Sequence, residues 1–291
     1  MDIVPQLIVN SLIAGSLYAL VALGFNFIYG ATRFFNLAHG AIAVAGGYIV
    51  YFFTKMLGWS AIPSIIIGLL VAGLLGYLSE RFIYRPLRAR KSSHMVLLVA
   101  SLGVLTALQA IIAMLFTSQF QTLGQMDSVN RTFNIFGGVI TQIQLIMFIS
   151  VVVVMVGLAV ILKFTFFGKS VRAISDDEEV ARMVGINTNQ VIGIVFFIGS
   201  ALAGLSGILS GYDTGLEPTM GMSLLLKGVI ASIIGGIGNV YGGVLGAFLL
   251  GFVENFGIWK ISGEWKDAIA FGLLIIFLLL RPNGILGQKR S

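Results

Sequence analysis

The sequence has no cysteine among its 291 residues, which excludes disulfide frameworks, thiol nucleophiles and thiolate metal sites. Histidine is nearly as scarce. His39 and His94 stand far apart, neither belongs to an HExxH motif, and no GxSxG elbow occurs. No catalytic constellation is left, so the reading is of a protein that is not an enzyme and uses neither cofactor nor metal. Charge is thin as well: only 10% of residues are Asp, Glu, Lys or Arg, well under the usage of soluble domains. The net charge of +6 does not point to nucleic acid. The basic residues form short clusters between apolar runs, with no basic and aromatic surface module.

What fills the chain instead is apolar. Hydrophobic residues make up 57% of it, in runs at roughly 5–30, 37–57, 60–83, 95–117, 142–163, 191–212, 222–237, 240–259 and 264–280. Stretches of about 20 apolar residues read as transmembrane helices. The expected fold class is therefore all-α, a polytopic membrane helix bundle of about 8–9 spans, forming a single domain over 1–291. The N-terminus lacks the marks of a cleaved signal: Asp2 stands in place of a basic region, and the first run continues to Tyr29 without a small-residue cleavage site. Nine crossings with the N-terminus outside place Arg33, Arg81, Arg85, Arg88, Arg90, Lys91, Lys163, Lys169, Arg172, Arg182, Arg281, Lys289 and Arg290 inside. Lys55, Arg131, Lys260 and Lys266 are then outside. That bias toward a basic inner face puts the C-terminus in the cytoplasm.

Thirty-seven glycines would weaken helices in water, but in membranes small residues let backbones approach closely. Gly199, Ala203, Gly207 and Gly211 recur every four residues, as do Gly68, Ala72 and Gly76, and Gly238, Gly242 and Gly246. These read as packing stripes. Asn26, Gln109 and Asn255, alone on apolar helices, read as hydrogen-bonding glue between helices. Lys227 and Glu254, at matched depth on adjacent antiparallel segments, are expected to form an intramembrane ion pair that offsets the insertion cost of each charge. "KFTFFGKS" (163–170) imitates a phosphate-binding loop but lacks its first glycine and its flexible spacer, and Lys163 and Lys169 read as interfacial anchors.

Two polar connections stand out, an external one at about 118–141 and an internal one at about 164–190. The internal connection holds four acids in a row, Asp176 to Glu179. Ser175-Asp176-Asp177-Glu178 reads as a capping box opening a short helix, about Asp176 to Val184, with Ser175 at the N-cap and Glu178 at the third position. Arg182 suits its last turn and Gly185 its left-handed terminus. Val180, Met183 and Val184 share one apolar face. Four acids are poorly suited to an anionic lipid surface, so the helix reads as a docking knob for a soluble partner.

"EVARMVG" (179–185), within "RAISDDEEVARMVGIN" (172–187), resembles the loop by which permeases of ABC importers dock onto their ATPases, in the form found in branched-chain amino-acid permeases. "SLYALVALGFNFIYGATRFFNLAHG" (16–40), "LLLKGVIASIIGGIGNVYGGVLGAFLLGFVE" (224–254) and "LLRPNGILG" (279–287) resemble further parts of that family. The resemblance implies a membrane permease of a bacterial inner-membrane importer for branched-chain or other small apolar amino acids. It implies as partners two ATP-binding cassette ATPases, a second related permease or a second copy, and an extracytoplasmic substrate-binding protein. It assigns coupling to Arg172, Ser175, Glu178, Glu179, Ala181 and Gly185. Candidates for the translocation path are Asn36, His39, Lys227, Asn239 and Glu254, and the external connection is a candidate for receiving the binding protein. A permease for urea or short amides of the same family is the alternative. An ATP-independent channel would need no coupling helix, and an ion-coupled carrier would need more intramembrane acids.

Overall fold

The computed structural model describes residues 3–124, 132–135 and 137–287. Every apolar run becomes a helix. In chain order these are α1 (Ile3–Thr32), α2 (Ala38–Tyr51), α3 (Ala61–Ser79), α4 (Arg85–Ala89), α5 (His94–Phe116), α6 (Gln142–Phe164), α7 (Phe166–Asp176), α8 (Glu178–Met183), α9 (Thr188–Asp213), α10 (Met220–Gly235), α11 (Val240–Ile258) and α12 (Lys266–Leu280). A π-helical turn at Glu80–Tyr84 joins α3 to α4 without a break, and another, Phe52–Met56, ends α2. Among the described residues, six helices are long and apolar enough to cross a membrane: α1, the continuous Ala61–Ala89, α5, α6, α9 and α11.

The centre is built from α1, α9 and α11, with α2, α3 and α10 packed on them. Close approach is what the small residues provide. A Cβ at Gly207 of α9 would run into the backbone carbonyl of Ala43 on α2, and one at Gly46 of α2 would come 2.8 Å from the Cα of Gly204. The stripe on α3 meets α9 in the same way, with Gly76 against Ser200. Outer helices leave apolar surface uncovered, such as Leu70 on α3, Met95 and Leu115 on α5, and Val153 on α6; in a chain of this composition that is hydrocarbon-facing surface.

In the external connection at about 118–141, the described residues include paired strands. Strands β1 (Thr132–Ile135) and β2 (Gly138–Thr141) pair antiparallel, with Phe133 opposite Ile140. Gln121 pairs with Leu216 beyond the end of α9. Thr141 then caps α6 in a reciprocal box with Gln144, at 3.3 and 3.0 Å. Asp127 and Arg131 of this connection, and Lys289 and Arg290 of the basic tail, lie outside the described residues.

α10 has 16 residues, or about 24 Å at 1.5 Å per residue, less than the roughly 30 Å of a hydrocarbon core. Its end is finished by the chain's own tail. The amides of Ile285 and Leu286 donate to the carbonyls of Ile234 and Gly235, both at 2.9 Å. Carbonyls that no later turn of α10 can serve are thereby satisfied inside the protein.

Candidate functional site

Three groups of side chains stand out, and the first is the short helix of the internal connection. The register of its cap differs from expectation. α7 buries Gly168, Val171 and Ile174 on one face and carries Ser175 inside it, so Ser175 is already committed to a helix and cannot cap the next. Asp177 caps α8 instead: its extended backbone breaks the chain direction, and its Oδ1 accepts from the amides of Glu179 at 2.8 Å and Val180 at 3.0 Å. Glu178 is therefore the first residue of α8, not the third. The other end is as expected, with Gly185 left-handed at φ +88.

Ala181 is buried and seats α8 against the core beneath Val171 and Ile174. Val180, Met183 and Val184 are 53%, 81% and 72% exposed, so the apolar face points away from the rest of the chain. Glu179 is exposed beside them. Glu178 pairs with Arg182 at 2.9 Å and reaches Arg88 of α4 at 3.8 Å. Arg33, just after α1, donates to the Ser175 carbonyl at 2.6 Å, and Arg172 donates to the Leu162 carbonyl near the end of α6. The knob is thus pinned to the membrane helices from several sides while its apolar face stays free.

The second group lies in the bundle. Lys227 of α10 and Glu254 of α11 form the expected ion pair, Nζ to Oε1 at 2.5 Å, with Glu254 fully buried. Three further residues join it. Asp267 at the start of α12 lies 2.8 Å from Lys227, Lys266 lies 3.8 Å from Glu254, and the Tyr18 hydroxyl of α1 donates to Glu254 Oε2 at 2.7 Å. Four helices are tied at one point. A cavity of about 270 Å³ opens beside it, lined by Lys227 and Asp267 and by the apolar Leu226, Ile230 and Phe271.

The third group surrounds the break between α1 and α2. Asn36 is buried, and its Oδ1 accepts from the Ala38 amide at 3.2 Å and from the Tyr84 hydroxyl at 3.0 Å. Its Nδ2 and both ring nitrogens of the fully buried His39 have no hydrogen-bond partner among the described residues. Asn239 is placed otherwise. It caps α11, accepting from the amides of Tyr241 and Gly242, and donates to the Leu286 carbonyl of the tail. Asn26 is helix-to-helix glue as expected, bonded to the Gly238 amide at 2.9 Å and the Asn239 carbonyl at 3.1 Å. Asn255, expected as glue between helices, bonds only the Gly251 carbonyl of its own helix among the described residues. Gln109 lines a second cavity, of about 360 Å³, between α5 and the turn before α10.

The sequence matches the model of a family described as branched-chain amino acid transport system / permease component over residues 7–278. The chain belongs to that family. It is 34% identical to the high-affinity branched-chain amino acid transport system permease protein BraD of Pseudomonas aeruginosa, over 97% of this chain and 95% of the relative. To LivH of Escherichia coli, a permease protein of the same description, it is 31% identical over 97% and 95%. Among solved structures, PsaBC from Streptococcus pneumoniae in complex with Fab shares the fold, with a TM-score of 0.53 at 14% identity over 97% of this chain and 93% of that one. The protein is a multi-pass membrane permease rather than an enzyme. Membership in a family of ABC importers implies ATPase and substrate-binding partners.

In this permease the sequence reading missed Glu80, Arg88, Tyr18 and Asp267. Glu80 is 1% exposed and ion-paired to Arg88. A signal was present, since a lone acid inside an apolar run demands a cationic partner. Tyr18 and Asp267 gave none, because nothing in the local pattern says which residues of α1 and α12 face Glu254.

Proposed function

We propose that this permease carries branched-chain or other small apolar amino acids inward across a bacterial inner membrane, as the membrane subunit of an ATP-driven importer. The whole chain acts as one permease domain. It pairs with a second related permease or a second copy of itself. Two ATPases dock from the cytoplasm, one on α8 and one on the second permease, and a substrate-binding protein delivers from outside, where the connection at 118–141 helps receive it. Arg172, Ser175, Glu178, Glu179, Ala181 and Gly185 form or support the docking knob. Asn36, His39, Lys227, Asn239 and Glu254 are the candidates for lining or gating the path, Asn239 also serving as the cap of α11.

The observation that carries this reading is the free apolar face of α8, with Val180, Met183 and Val184 exposed on a knob whose other sides are fixed to the bundle. Rigid support and an uncovered apolar face are what a soluble partner needs in order to move membrane helices by binding. Glu179→Lys reverses a charge beside that face, and Gly185→Val puts a β-branched residue where φ is +88. Each variant is expected to insert normally and to lose about tenfold or more in ATP-driven uptake, equivalent to roughly 1.4 kcal/mol of docking free energy. Uptake and binding-protein-stimulated hydrolysis in proteoliposomes check this, and wild-type rates in the Glu179→Lys complex would remove the docking role.

A further inference from the structure

Two of the polar groups described above are connected. Glu178 on the docking helix reaches Arg88 of α4, and Arg88 holds the buried Glu80. Glu80 opens the π-helical turn Glu80–Tyr84, and Tyr84 closes it. Tyr84 is buried between Phe34 and Phe196, with ring centroids 5.1 and 5.6 Å away, and its hydroxyl holds Asn36. Asn36 in turn caps the first amide of α2. We infer that this chain, Glu178–Arg88–Glu80–Tyr84–Asn36, is the lever by which movement of the ATPase-docked helix shifts the break between α1 and α2. The inference rests on the importer reading above and adds to it the residues that transmit the stroke.

Each link has a physical reason to act in series. A carboxylate as buried as Glu80 cannot be left without its cation, because an unpaired charge in a low-dielectric interior is strongly disfavoured. Arg88 therefore follows Glu80, and Arg88 is also the nearest cation of α4 to Glu178. When α8 moves, the shared guanidinium either pulls the π-turn with it or exchanges one carboxylate for the other. π-Turns are single-turn distortions of the α-helical ladder and recur at functional sites, so this is where α3 can shift. Tyr84 sits on the same turn, and its ring is gripped by aromatic neighbours, so displacement passes to its hydroxyl and on to Asn36.

A second observation marks the chain as a two-position device. Glu80 Oε2, Arg88 Nε, Asn36 Nδ2 and both nitrogens of His39 are buried without a partner among the described residues. Unsatisfied buried polar atoms are rare and disfavoured. Three of these, Glu80 Oε2, Arg88 Nε and Asn36 Nδ2, belong to residues of the chain of contacts itself, where a second arrangement of the same side chains can pair them. Coupling between distant sites needs such an element with two discrete arrangements.

The test uses the complete importer in proteoliposomes and reads amino acid imported per ATP hydrolysed. Tyr84→Phe keeps the aromatic packing and removes only the link to Asn36. It is expected to retain ATPase assembly and hydrolysis while import per ATP falls about tenfold, within the 5–150-fold range of typical coupling effects. Glu178→Gln is expected to lower the same ratio by loosening Arg88. The double variant is expected to be no worse than the worse single one, since both cut one chain. A wild-type ratio in Tyr84→Phe, or losses that multiply in the double variant, would overturn the lever while leaving the importer reading intact. Import by the wild-type complex that proceeds undiminished without ATP would overturn the importer reading itself, and the lever with it.

Discussion

Lys227→Leu is expected to cost the permease about 3–5 kcal/mol of stability, because it leaves a buried charge without its main partner. Glu254 is fully buried, and after the substitution it keeps only the Tyr18 hydroxyl at 2.7 Å and Lys266 at 3.8 Å. The converse change, Glu254→Gln, is expected to cost less. Lys227 then retains Asp267 at 2.8 Å, and Asp267 is itself open to solvent. Thermal unfolding of the purified protein in detergent measures both. A charge swap separates pairing from mere burial. Lys227→Glu and Glu254→Lys should each impair folding and uptake, and the double swap should recover part of the loss. Recovery stays partial because Asp267 would then face a carboxylate, and adding Asp267→Asn should raise it further. Fully additive losses in the double variant would mean that the two side chains do not interact.

Gly207→Val has the other large expected effect. A Cβ there meets the carbonyl of Ala43, and a backbone atom cannot rotate aside as a flexible side chain can. α2 and α9 must separate, and with them the approach of Gly46 to Gly204. Overpacking of this kind costs about 1–3 kcal/mol at ordinary core sites, and a backbone-on-backbone contact belongs at or above the top of that range. Gly103→Ala and Gly157→Ala serve as controls. Open space surrounds both glycines, and each substitution is expected to be neutral or to raise helix stability by up to about 1 kcal/mol. Unfolding temperatures of the three variants check the contrast, and equal values would show that α2 and α9 are not in backbone contact.

The parts of the fold legible in the sequence are those set by composition and spacing. Runs of apolar residues fixed where helices would be, and the four-residue recurrence of small residues marked where they would touch. The Lys227–Glu254 pair was legible because a short connection forces its two helices to be antiparallel neighbours. Gly185 was legible because its role depends on backbone conformation alone. The cap of α8 was not. Ser175 and Asp177 are both good capping residues, and the choice between them depends on how far α7 extends, which its buried Val171 and Ile174 decide through tertiary packing. The β1–β2 pairing was hidden for a similar reason: strands of four residues carry too little alternation to register as such. The capping role of Asn239 at α11 went unread, although an Asn just before an apolar helical run is itself a mark of a helix cap.

Pairing of α1 with the turn that opens α11 also sets a timetable for synthesis. Asn26 on α1 is fully buried, and its partner, the Gly238 amide, lies 212 residues further along the chain. At about 5–20 residues per second, a ribosome needs roughly 10–40 s to make the stretch between them. For that interval α1 is in the bilayer with an amide side chain that its own protein cannot yet satisfy, and the Tyr18 hydroxyl waits longer still for Glu254. The bundle therefore closes from its two ends, and late. A nascent chain stalled before α11 exposes the polar face of its first helix to lipid and to the proteases that survey the membrane, so premature termination before α11 is made should yield a degraded product rather than a shortened permease.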